Sequence, residues 1–63
     1  TNYIYILELK LRNNGGISAA EQQILAKQYA EPFKAAKQNV IALAIELDDM
    51  GKGMIGWKEV QTQ

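Results

Sequence analysis

The sequence contains no cysteine and no histidine. Without cysteine it can form no disulfide and offers no thiolate to a metal ion. Without histidine it also lacks the commonest neutral metal ligand and general base of proteins. Hydrolytic chemistry would have to depend on carboxylates alone, and no convergent pair of them stands out. We therefore predict that the chain is not an enzyme, that it has no catalytic residue and that it binds no cofactor.

Neither sign of charge dominates, because seven Lys and Arg residues balance seven Asp and Glu residues. Nucleic-acid binding usually requires a basic stripe, and the sequence has none. The longest strongly apolar segments, Tyr3–Leu7 and Val40–Ile45, are too short to span a bilayer. No signal-peptide pattern is present. The sequence predicts a single cytoplasmic module with neither a nucleic-acid nor a membrane partner.

Proline is scarce, and its single occurrence divides the chain. Asn13–Gly16 is a strong turn signal, since Asn and Gly tolerate the positive φ of tight turns. Ser18 and Glu21 then form an S-x-x-E capping box, which predicts a helix from about residue 18. Pro32 ends that helix, because proline disfavours helix in the residue before it and has no amide proton. The same proline is acceptable in the first turn of a following helix.

The hydrophobic pattern from Phe33 to Leu47 is helical. Apolar residues at positions 40, 43, 44 and 47 recur at the spacing of one helix face. Ile41 and Ile45 make that apolar stripe wider than packing against one neighbour requires. The glycine-rich stretch 48–56 cannot form a regular element, and the tail 57–63 is predicted as either a short helix or a short strand.

The first eleven residues fit two patterns. Residues 3 to 11 alternate partly with the period of two that is typical of a strand, and their aromatic and β-branched residues favour a strand locally. At helical spacing, however, Asn2, Tyr5, Ile6 and Leu9 fall on one face.

A repeated motif favours the helical pattern. Gly-x-Ile-x-x-x-Glu occurs as Gly15–Ile17–Glu21 and again as Gly53–Ile55–Glu59. In a calcium-binding helix–loop–helix the glycine is position six and the glutamate position twelve of a twelve-residue loop. The two loops are then Lys10–Glu21 and Asp48–Glu59, each directly preceded by a leucine. On these residues the chain resembles one lobe of the EF-hand family, and the resemblance covers essentially all of it.

The resemblance implies an all-α fold: a pair of EF-hand units with four short helices and a minimal two-stranded contact between the loops at Ile17 and Ile55. Residues 1–63 would form a single lobe, with hand one at about 1–30 and hand two at about 33–63. An extended segment Tyr3–Leu11 in a sheet would exclude this fold.

Neither loop is predicted to bind calcium. The first loop places Lys10 and Arg12 where carboxylates should be. The second retains only Asp48 and Glu59 as acidic ligands and adds the positive charge of Lys52. These two acidic residues are the only weak alternative for a metal site, and with them the chain would be a residual calcium sensor.

Lobes of this family that lack calcium ligands resemble myosin light chains, so the resemblance implies a calcium-independent module that clamps the amphipathic helix of an IQ motif in a larger protein. The apolar groove that would hold this partner is formed by Phe33, Val40, Ile41, Leu43, Ala44, Leu47, Met50 and Met54. The acidic rim that would pair with basic residues of the partner is formed by Glu31, Glu46 and Asp49.

A second interpretation needs no EF-hand. Terminal strands at Tyr3–Leu11 and Ile55–Thr62 would pair around two helices in a small α+β binding or regulatory domain. An exposed strand at Tyr3–Leu11 would promote pairing with a second chain.

Overall fold

Three strands and two helices form the part of the chain that the computed structural model describes, residues 3–27, 31–35 and 39–61. In chain order the elements are β1 (Tyr3–Leu11), a 3-10 turn (Arg12–Asn14), α1 (Gly16–Lys27), α2 (Glu31–Ala35), β2 (Asn39–Leu47) and β3 (Met54–Val60). The prediction of an all-α EF-hand pair is wrong, since the fold is a small α+β fold with a mixed sheet.

The first strand decides between the two interpretations. Tyr3–Leu11 is extended throughout, and its side chains alternate between exposed and half-buried positions along nearly its whole length. The aromatic and β-branched residues of this segment thus adopt the strand that they favour locally. The helical spacing in the same residues does not correspond to a helix. The strand predicted over Tyr3–Leu11 by the α+β interpretation is confirmed.

The helix predicted from Phe33 to Leu47 is wrong over most of its length. Among the described residues of this region only Glu31–Ala35 is helical, with Pro32 in the first turn as expected, and Asn39–Leu47 is a strand. This strand lies between two neighbours, packs Ala42 and Ala44 against α1 and carries apolar residues on its opposite face as well, so nearly all of its residues are apolar. A continuous apolar run also satisfies the helical spacing, and periodicity alone cannot separate the two.

The sheet has the order β1–β2–β3. β1 runs parallel to β2, from Tyr3 opposite Asn39 to Leu11 opposite Leu47. A parallel pair requires a long crossover, which here contains α1. β3 is antiparallel to β2, with Ala42 opposite Val60. The predicted terminal strand at 55–62 therefore exists over 54–60, but its partner is β2 and not β1.

An irregularity interrupts the pairing of β2 with β3. Glu46 is opposite Gly56 while Leu47 is opposite Met54, which leaves Ile55 as an extra residue in a bulge. The predicted two-stranded contact between Ile17 and Ile55 is wrong, because Ile17 lies in α1. It instead packs close to Gly56, where an added Cβ would lie 3.3 Å from Ile17 Cδ1.

The core lies between α1 and one face of the sheet, which we call the helix face. Its buried residues are Ala20, Ile24, Ala42, Ala44 and Val60. Three of these five are alanines, which let the helix approach the strands closely. Among the described residues, Ile24 is the only large side chain that is fully buried, with 1% of its surface exposed.

The start of α1 uses a distant carboxylate and not the predicted capping box. Gly15 and Gly16 both have positive φ, at 99° and 56°, and the helix begins at Gly16. The amide of Ile17 donates to Glu46 Oε1 at 3.1 Å, so a side chain of β2 accepts from a first-turn amide that has no partner within the helix. Glu21 instead accepts hydrogen bonds from Lys58 Nζ at 3.0 Å.

Glu46→Ala is expected to lower the free energy of unfolding by about 1 kcal/mol, as the loss of a helix N-cap does. The substitution leaves the amide of Ile17 without its acceptor and removes a negative charge from the positive end of the helix dipole. Glu46→Gln keeps an oxygen acceptor and should lose less. Urea unfolding followed by circular dichroism measures both changes, and equal stability of the alanine variant and the parent chain would contradict the capping role.

Candidate functional site

The residues predicted to form a helix-binding groove are not gathered in one place. Ile41, Leu43 and Leu47 lie on one face of β2, while Val40 and Ala44 lie on the other. Phe33 lies in α2, Met50 in the turn after β2 and Met54 at the start of β3. The described residues therefore form no groove between four helices, and the light-chain prediction has lost its structural basis.

The predicted acidic rim has other roles. Glu46 caps α1 and lies 4.0 Å from the guanidinium of Arg12. Asp49 Oδ1 accepts from the amide of Asn13 at 2.8 Å, which joins the turn after β2 to the turn after β1. Glu31 is exposed at the start of α2. Two of the three carboxylates thus hold parts of the fold together.

The two acidic residues considered for a metal are also separated. Asp48 Oδ1 accepts from the amides of Met50 and Lys52, at 3.1 and 2.8 Å, and so closes the turn between β2 and β3. Glu59 lies in β3, opposite Leu43. In the described ranges no three acidic residues come together in a group that could hold a metal ion.

The outstanding surface of the molecule is the face of the sheet opposite α1, which we call the open face. The apolar residues that alternation and register place on it are Tyr3, Tyr5, Leu7, Leu9, Leu11, Ile41, Leu43, Ile45, Leu47, Met54 and Trp57, and the polar residues Asn39 and Glu59 lie on the same face. Tyr5 is 61% exposed and Trp57 60% exposed, although both are large apolar side chains in a regular sheet. The aliphatic residues of β2 between them are half-buried. Rows of apolar side chains thus lie side by side on a surface that faces solvent.

The size of this face follows from the exposure of its side chains. An aromatic side chain covers about 150–250 Å² when buried, so its three rings, each more than half exposed, present roughly 300 Å². With the leucines and the other aliphatic residues the face reaches roughly 600 Å², the upper end of the largest apolar patch on a typical monomer. Apolar patches of this size on monomers are often functional.

Sequence reasoning left several residues of this face out of the predicted binding surface, among them Tyr3, Tyr5, Leu7, Leu9 and Trp57. The alternation of Tyr3–Leu11 was the available signal, because it places every second residue on one face. Trp57 had no comparable signal, since it joins the others only through its position opposite Ile45.

Comparison of the chain with protein-family models, with curated proteins and with solved structures gave no match. Along the described ranges, neither helix has the length and apolar character needed to cross a membrane. The site is therefore interpreted from its own chemistry, which is that of an exposed apolar surface.

Proposed function

We propose that the chain is a protein-association domain that packs its open face against the same face of a second copy. The observation that supports the proposal is the continuous apolar surface across all three strands. This is a form of the small α+β binding domain that the second interpretation of the sequence predicted, with the sheet face as its binding surface.

A second sheet fits this surface geometrically. Two sheets pack face to face about 10 Å apart, with side chains from the inner faces interdigitating. The exposed rings of Tyr5 on β1 and Trp57 on β3 lie on either side of the half-buried aliphatic residues of β2. Aromatic residues are enriched and charged residues depleted at the centre of such interfaces, and the open face follows that composition. Glu59 is its only charged residue within the three strands.

Area and charge both favour a second copy as the partner. Covering roughly 600 Å² on each chain would bury about 1,200 Å² in total, the lower limit of specific and stable interfaces. The formal net charge is zero, so two copies do not repel each other over long distances. The open face has no basic or acidic patch that would select a charged partner.

The small core gives association a further consequence. In the part of the chain that the structure describes, the core between α1 and the sheet has five buried apolar side chains, three of them alanines. Association buries the open face and so removes additional apolar surface from water. Because only the folded chain can associate in this way, association stabilises the folded state by mass action. We therefore expect the temperature of unfolding to rise with protein concentration.

Sedimentation equilibrium over a wide concentration range tests the proposal. The expected result is a mass that rises from the 7.0 kDa of one chain to at least twice that value. The emission of Trp57, the only tryptophan, should shift to shorter wavelength in parallel, because its ring passes from water into an interface. A mass that stays at 7.0 kDa at the highest concentration, with unchanged emission, would overturn the proposal.

A further inference from the structure

The outer edge of β1 is a second surface suited to association. In the described part of the chain β1 pairs only with β2, so the backbone groups on its other side have no strand partner. The strand is nine residues long and contains neither a proline nor a bulge. Natural edges are usually protected by such features or by several charges. The opposite edge of the sheet, on β3, is shorter and is bent by the bulge at Ile55.

A shallow groove lies against this edge. It is lined by Tyr5, Ile6, Leu7, Glu8 and Phe33. Four consecutive residues of β1, from both faces of the sheet, line it, and no residue of β2 does. The groove therefore follows the free side of the strand, with Phe33 of α2 at its border. An added strand would occupy that position.

We propose that β1 pairs antiparallel with β1 of a second copy, about a two-fold axis at Leu7, so that the two sheets become one sheet of six strands. The inference deepens the proposed self-association, but it uses the edge of β1 and not the open face. Edge pairing joins copies side by side, and face packing then joins the resulting sheets front to front.

Symmetry fixes how the faces meet. In an antiparallel pair, residues directly opposite each other point to the same side of the sheet. A two-fold axis that relates two β1 strands in one sheet must then place odd residues opposite odd residues. Both copies of α1 lie on one side of the six-stranded sheet, and the two open faces merge on the other. Edge pairing thus doubles the apolar surface available for face packing.

The axis at Leu7 gives the longest pairing. All nine residues of β1 then have a partner, with Tyr5 opposite Leu9 of the other copy. An axis at Leu9 would place Glu8 opposite Lys10 of the other copy, but it would pair only the five residues from Leu7 to Leu11. Each exposed cross-strand ion pair contributes no more than one hydrogen bond between strands. The axis at Leu7 gains more hydrogen bonds than the axis at Leu9 gains ion pairs, so the axis at Leu7 is favoured.

The charges of β1 are compatible with this register. Glu8 lies opposite Ile6 of the other copy and Lys10 opposite its Ile4, so no like charges meet directly. An axis at Glu8 would place the two Glu8 carboxylates directly opposite each other, which is destabilising. Among the described residues, neither Glu8 nor Lys10 takes part in an ion pair that edge pairing would have to break.

Single-cysteine variants of this cysteine-free chain test the register. Residues directly opposite in an antiparallel pair have Cα atoms about 4.5–5.5 Å apart, which is within the range of a disulfide. Leu7→Cys should therefore form disulfide-linked dimers under mild oxidation at least about tenfold faster than Tyr5→Cys or Leu9→Cys. Leu25→Cys, on the outer side of α1, is the control for random collision.

Mixtures of variants separate edge pairing from face packing. Ile6→Cys mixed with Glu8→Cys, and Ile4→Cys mixed with Lys10→Cys, should form mixed disulfides, with folding of each variant checked by circular dichroism. These residues point to the helix face, so packing of the open faces cannot bring them together. The mixed disulfides should form even when Trp57→Lys is added to weaken face packing.

Several outcomes would overturn the inference. A maximum at a position other than Leu7 excludes the proposed axis. Disulfides at odd positions without the mixed helix-face disulfides exclude edge pairing and leave the proposed face packing intact. Helix-face disulfides in a chain whose Trp57→Lys variant has unchanged mass would support edge pairing and overturn the proposed function. Equal rates for Leu25→Cys and Leu7→Cys would overturn the pairing of β1 at Leu7, and the mass measurement then decides the proposed face packing by itself.

Discussion

Trp57→Lys should raise the dissociation constant for self-association by about 100-fold, which corresponds to the loss of a central aromatic anchor of an interface. The indole ring lies on β3 opposite Ile45 and is 60% exposed in the single chain, so it has much surface to bury in a complex. A lysine at the same position would bring a charge into an apolar contact. Sedimentation equilibrium measures the change directly.

Two leucines provide a matched comparison for this prediction. Leu9 on the open face and Leu25 on α1 are each 48% exposed, so they differ in location and not in accessibility. Leu9→Lys should weaken association clearly, whereas Leu25→Lys should leave it unchanged. Equal effects of the two substitutions would mean that association depends on general hydrophobicity and not on the open face.

Ile24→Ala should lower the free energy of unfolding by about 2–5 kcal/mol, since removal of buried methyl and methylene groups loses transfer free energy and leaves a cavity. The core around Ile24 consists of three alanines and Val60, with the partly buried Ile6 and Ile17 packed against it, so Ile24 is the only large side chain that is fully buried among the described residues. Domains of this length have little stability to lose. We expect the variant to be largely unfolded at low concentration, as measured by urea titration and circular dichroism.

A graded series distinguishes a packing effect from a general helix effect. Ile24→Val removes one methylene group and should cost about 0.5–1.5 kcal/mol. Leu25→Ala changes the next residue of α1, which is half exposed, and should cost less than Ile24→Ala. If Leu25→Ala and Ile24→Ala destabilised the chain equally, the core would not lie where α1 meets the sheet.

The sequence contained a strand signal for β1, but it did not show that this signal should prevail over the competing helical pattern. Residues 3 to 11 satisfied both a period of two and a helical spacing, and local strand preference pointed to the observed structure. The repeated Gly-x-Ile-x-x-x-Glu motif favoured the wrong pattern, because its two copies have different structures. Gly15 has positive φ and precedes a helix, whereas Gly53 precedes a strand and the turn is made by Gly51, with φ of 69°.

The central strand could not be recognised from periodicity. Val40–Leu47 is apolar at nearly every position because β2 is the central strand, with core residues on the helix face and the middle row of the open face on the other. Such a run matches helical and extended templates equally. The error propagated to the site, because the residues assigned to one groove actually alternate between the core and the open face. Only the register of the strands reveals which of them share a surface.

The parallel pairing of β1 with β2 has a consequence for biosynthesis. β2 and β3 are joined by a tight turn, so their contact is local, whereas Tyr3 meets Asn39 only after the whole crossover has been made. Non-local pairings of this kind form late, because the loop must close before any contact compensates for it. On the ribosome β1 therefore emerges well before β2, the strand with which it pairs. During that interval we expect its apolar side chains to be a natural target for chaperones.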